Sequence, residues 1–139
     1  MSQYVEVSDL DKIVRGLVDR IHALETRESR PLVWTVVTAF ANGWGNYGSG
    51  FAEAAYAKDA SGRVFLRGLI QGGTLGTGAF TLPVGYRYKP LPPSFQYIHM
   101  PTIANNVLGG VLVLPSGEVV PYLGSNAWMD LSPVHFPAA

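Results

Sequence analysis

Four carboxylates lie beyond the first thirty residues, Glu53, Asp59, Glu118 and Asp130, and acid–base work on a glycosidic bond would need two of them facing each other. Asp59 belongs to the turn sequence Asp59-Ala60-Ser61-Gly62 and Glu118 follows Ser116-Gly117, so both read as hairpin tips. A small carbohydrate-active enzyme would have to pair Asp130 with Glu53 or with Glu118. Metal chemistry needs convergent ligands, but His22, His99 and His135 are scattered and none has a His-x-His or helical His-x-x-x-His partner. There is no cysteine, hence no disulfide, thiolate ligand or thiol nucleophile. Gly48-Ser49-Gly50 is not a nucleophile elbow. The glycines at 72, 73, 76 and 78 lack the Lys-Ser/Thr of a phosphate loop and precede a strand. The expectation is a protein without catalytic residues, metal or cofactor.

Aromatic side chains are the remaining candidates for recognition. Trp44 and Tyr47 share the glycine-rich stretch 41–50, and Tyr86 and Tyr88 sit among the prolines of 83–93. Flat rings on loops give contact area for sugars or protein partners at low entropic cost. These four residues are the candidate receptor-binding set. Trp44 and Tyr47 would alternatively plug the end of a β-domain or pack between subunits.

The elements that must carry them fall into two unlike segments. Residues 1–30 hold six of the ten acids and five of the ten bases, and no proline occurs before Pro31. Ser8 is suited to cap a helix over about residues 9–28, with Asp9 and Asp11 complementing its dipole. Leu10, Leu17 and Leu24 alternate with Val14 and Ile21 at spacings of four and three, which is a heptad seam with Leu at d and β-branched residues at a, flanked by Ile13 and Val18. Burying the five seam residues is worth about 7–15 kcal/mol per chain before entropy. The seam alone leans towards two strands, its apolar flanks towards a thicker bundle.

Residues 31–139 read as about eight short strands separated by turn chemistry: 32–40, 53–58, 63–70, 79–82, 95–100, 107–114, 119–122 and 127–131. The predicted fold class is therefore mainly β: a short N-terminal coiled-coil helix (1–30) as stem, then a head (31–139) built as a β-sandwich, jelly roll or barrel-like domain. Only 14% of residues are charged, against about 25% in an ordinary globular protein, as expected if part of the surface is buried against copies of the chain. Zero net charge and no basic run argue against nucleic acid. The start carries acids and no apolar run, unlike a signal peptide, and no stretch of 18 apolar residues occurs, so no membrane insertion is expected.

The segment NGWGNYGSGFAEAAYAKDASGRVFLRGLIQGGTLGTGAFTLPVGYRYKP resembles one found in tail and fibre proteins of tailed bacteriophages. The likeness lies in Trp44, then Tyr56 with Lys58-Asp59, then Gly62-x-Val64-x-Leu66-x-Gly68. Gly72 and Leu82-Pro83-x-Gly85-Tyr86-Arg87-x-x-Pro90 follow, and AWMDLSPVHFPA looks like the ending common on such chains. The resemblance covers about residues 32–139. It implies a virion structural protein, commonly a homotrimer whose β-head attaches to a host or completes a tail tip, with no shared catalytic residues. Such a chain would be assembled in the host cytoplasm, contact other virion proteins, and meet a host cell-wall glycan. The alternative is a purely structural capsid spike or tail-tip part without a ligand. With no long shaft ahead of the helix, the chain is expected to be a small fibre, a spike, or a fragment of a longer protein. If the stem drives assembly, Leu17→Asp shifts the particle mass in light scattering from oligomer to monomer; an unchanged mass would contradict that role.

Overall fold

A computed structural model describes the backbone at residues 7–28, 31–90 and 96–138, and side chains at the same positions except 7–8 and 26–28. The side chain of the expected cap Ser8, together with Pro92, Pro93 and Phe95, lies outside the described residues. The chain divides into two units, residues 1–31 and 32–139.

In the first unit, α1 (Val7–Glu28) is 22 residues long, about 33 Å at 1.5 Å per residue. It begins just before the expected cap. Leu10, Val14, Leu17, Ile21 and Leu24 form one stripe, each 50–56% exposed. Asp11 and Arg15, one turn apart, form an ion pair of 3.0 Å. Among the described residues no helix is long and apolar enough to cross a membrane.

The second unit is mainly β, with eleven short strands in three antiparallel sheets among the described residues. Sheet A orders β1 (Thr35–Val36), β3 (Ala55–Lys58), β4 (Arg63–Arg67) and β11 (His135–Pro137). Sheet B orders β10 (Met129–Asp130), β5 (Leu69–Gln71) and β2 (Gly45–Asn46). Sheet C orders β6 (Phe80–Thr81), β9 (Glu118–Leu123), β8 (Val107–Val113) and β7 (Ile98–Ala104). The sheets do not close into a barrel among the described residues. They share one core, in which Leu66, Ile70, Leu82, Val111, Met129 and Phe136 are fully buried.

Turn chemistry sets the hairpins. Asp59 accepts at Oδ1 from the Ser61 hydroxyl (2.6 Å) and from the Ser61 and Arg63 amides (2.9 Å each), while Gly62 supplies φ +89°. The Ser61 hydroxyl above all holds the Asp59 carboxyl below its usual range. Asn105 and Asn106, with φ of +48° and +64°, make the two-residue link between β7 and β8 that suits the twist of a tight hairpin.

Three expectations need correction. The predicted strand 63–70 is two strands in two sheets. Its break is Gly68, at φ +114°, where a Cβ would lie 2.6 Å from the backbone of Ala54. Second, the glycine-rich stretch 41–50 is not all loop, since Gly45 and Asn46 pair with Gln71 and Ile70. Third, the C-terminal His135–Pro137 adds a strand beside β4, while the expected strand 32–40 is reduced to Thr35–Val36.

Gly68 yields a direct test. Gly68→Ala meets both a positive φ and a backbone collision, whereas Gly76→Ala meets φ +88° with nothing within 4 Å. The first is expected to cost at least about 2 kcal/mol more than the second in denaturant unfolding; equal losses would contradict the close approach.

Candidate functional site

The glycine-rich loop begins with Asn42 and Gly43 at positive φ, which turns Trp44 inward. Its indole is 4% exposed and lies so close to Gly73 that any Cβ there would overlap the ring. Indole Nε1 is buried with no hydrogen-bond partner among the described residues. Strand β2 then carries the chain outward, and the Tyr47 amide donates to Leu69 O at 2.8 Å. Three successive positive-φ residues, Gly48, Ser49 and Gly50, reverse the chain, and the Phe51 amide donates to Gly48 O at 3.0 Å. That reversal folds Phe51 back edge-on to Tyr47, ring centroids 5.5 Å apart at 74°. The arm is anchored below by Asn46, whose Oδ1 accepts the Ala54 amide at 2.8 Å.

Opposite this aromatic pair stand Trp128, the residue just before β10, and Asp130 within it. Asn126 ties the preceding loop down, its Nδ2 donating to Gly73 O (2.9 Å) and its carbonyl accepting the Gly72 amide (2.9 Å). Asp130 Oδ1 accepts the Ser132 amide at 2.9 Å, and its backbone carbonyl accepts the hydroxyl of buried Thr102 at 2.5 Å. Between the two arms lies a cleft of about 380 Å³ whose walls include Tyr47, Phe51, Leu69, Trp128, Asp130 and Ser132. That is the size of a small-molecule site, mostly apolar with a few convergent polar groups. Phe51 is 58% exposed, and Tyr47 and Trp128 are half-buried, so the rings are both held and accessible. The chemistry on offer is ring stacking together with a carboxylate and a hydroxyl for hydrogen bonds.

The structure does not bring the four sequence candidates together. Tyr47 lines the cleft. Trp44 is a core residue, and so is Tyr88, 9% exposed, edge-on to Phe136 at 6.4 Å and bridged to Ala138. Both are corrected as ligand contacts, because their rings are already covered by protein. Tyr86 is half-buried elsewhere, 4.9 Å from the Tyr56 ring with the Lys58 ammonium 5.7 Å from its own. Phe51 and Trp128 are the aromatic walls that sequence reasoning missed. Of the head carboxylates, Asp130 alone lines the cleft; Glu118 lies beside Gly78 and Glu53 is exposed. Among the described residues no group of three His, Cys, Asp or Glu side chains could hold a metal ion.

No protein-family model matches the sequence, and no curated protein matches it. Among solved structures, the chain is similar to the receptor binding protein of Listeria phage PSA, with a TM-score of 0.60 and 17% identity over 96% of this chain and 80% of that one. At that identity the likeness is one of fold. The resemblance to tail and fibre proteins of tailed bacteriophages carried by Trp44, Lys58-Asp59 and Leu82-Pro83-x-Gly85-Tyr86 is thus joined by a likeness of fold to a phage receptor binding protein.

Proposed function

We propose that this chain is a receptor-binding component of a phage tail, a non-enzymatic virion protein that holds a host surface polymer, with a saccharide unit in the Tyr47–Phe51–Trp128 cleft. The observation that carries the reading is this accessible aromatic cleft on a fold shared with a phage receptor binding protein. Sugar rings offer C–H faces that pack on aromatic walls and hydroxyls that donate to a carboxylate, and the cleft supplies both kinds of partner.

The working assembly is a homotrimer. In its support, the α1 seam is half exposed in the single chain, and an apolar stripe of that kind needs a partner. Residues 90–117 carry no charged side chain, and on the β7–β8 hairpin Ile103, Val107 and Leu108 are more than half exposed, with Leu123 of β9 at 43%. Exposed apolar groups without interspersed charge suit burial between subunits. The helix then serves as a stem that organises three heads, and other virion proteins, in a particle assembled in the host cytoplasm, hold it. In the alternative, a ligand-free capsid spike or tail-tip part, a neighbouring copy would fill the cleft.

The test separates them. A Phe51→Ala/Trp128→Ala double variant should stay folded and oligomeric and lose at least about tenfold in adsorption to host cell walls, the loss of a buried aromatic contact being worth more than 1.4 kcal/mol. Undiminished adsorption would sink the site.

A further inference from the structure

Sheet A carries a second arrangement that the cleft does not use. Along β4 the side chains alternate: Val64 and Leu66 are buried in the core, and Arg63, Phe65 and Arg67 lie half-buried on the opposite face. The neighbours on that face are small or flat. Ala55 stands opposite Arg67 and Ala57 opposite Phe65, both fully buried, while His135 flanks Phe65 on the other side. Alanines beneath the long side chains let them lie down on the sheet.

The result is a row of alternating aromatic and cationic groups. The Arg67 guanidinium sits 4.4 Å from the Trp34 ring centroid. Phe65 stacks on His135 with centroids 5.9 Å apart at 28°. Arg63 Nε donates to His135 Nδ1 at 2.8 Å, which fixes the fork of Arg63 at the far end. The two arginines are four positions apart on the strand, about 13 Å between their Cα atoms. Neither has an ion pair among the described residues, and Arg67 Nε is buried with no hydrogen-bond partner. Arginines on strands ordinarily reach into solvent or towards a carboxylate. Here two are held in place by rings, with their cost in side-chain freedom already met and their charge unanswered.

We propose that this Trp34–Arg67–Phe65–His135–Arg63 row is a second binding surface, which takes an anionic polysaccharide by pairing two of its charged groups with Arg67 and Arg63 while a ring between them packs on Phe65 and His135. Guanidinium forks match carboxylate, phosphate and sulfate groups in two-point contacts, and the paired spacing favours a polymer over a single ion. The surface is distinct from the cleft, where Asp130 supplies the charge.

The probe is dextran sulfate against uncharged dextran, titrated into the protein by calorimetry. Dextran sulfate should bind and dextran should not compete for it. Arg63→Gln and Arg67→Gln should each weaken binding about tenfold, the scale of one charge-assisted pair. Lys89→Gln, which removes the same charge from an exposed side chain outside the row, should leave it within about twofold. Thermal melting checks the fold of each variant; Arg63→Gln keeps the Trp34 stack and serves if Arg67→Gln unfolds. Phe51→Ala/Trp128→Ala should bind dextran sulfate undiminished, so loss of cleft function and loss of this surface are read separately. Equal losses in Lys89→Gln and the arginine variants, no binding at all, or tighter binding of a single-stranded oligothymidine would overturn the proposal.

Discussion

One residue without a Cβ connects the parts of the head. At Gly68 the chain leaves sheet A and enters sheet B, pressed so closely on Ala54 that no other side chain fits, at a φ that other residues resist. Its carbonyl accepts the Leu131 amide at 2.9 Å, which sets β10 beside β5. The residue before it, Arg67, ends the cationic row on sheet A; the residue after it, Leu69, floors the aromatic cleft on sheet B. Without that crossing the strand would run on in one sheet, and Met129 and Asp130 would have no register against Ile70 and Leu69 to hold the neighbouring Trp128 across from Tyr47.

The same economy appears in the cleft walls. Neither Tyr47 nor Phe51 is fixed by deep burial. They are fixed by backbone: a two-residue strand on one side, three positive-φ residues at the tip, and an asparagine holding the return. Trp128 depends likewise on Asn126 and its bonds to residues 72 and 73. Rings mounted on rigid turns lose little freedom when a ligand arrives. Trp44, by contrast, is the support: its ring fills the space over Gly73 and holds the glycine loops at 41–50 and 71–78 together from within.

Much of this was legible in the residues. The heptad spacing gave α1, Asp59 to Gly62 gave the β3–β4 hairpin, and Pro115-Ser116-Gly117 gave the turn between β8 and β9. What stayed hidden was long-range. Trp44 and Tyr47 look equivalent in a glycine-rich sequence, yet strand alternation across Gly45 and Asn46 sends one into the core and leaves the other at the surface. Phe51 and Trp128 are 77 positions apart, and only the pairing of β10 and β2 to either side of β5 makes them neighbours across a cleft. Tyr88 followed the proline-rich coil in sequence but is drawn into the core by its bridge to Ala138 and its contact with Phe136. The break at Gly68 was similarly invisible, because a glycine in an apolar strand signals a bend without saying which sheet the chain joins next.

Three tryptophans report on the three environments at issue: Trp44 in the core, Trp34 under Arg67, and Trp128 in the cleft. The most direct measurement is therefore indole-resolved NMR of the protein, titrated with soluble bacterial cell-wall polysaccharides. The Trp128 indole signal should shift saturably while that of Trp44 stays in place, as a ligand held in the cleft requires. Binding of the polysaccharide with a stationary Trp128 signal would contradict that placement.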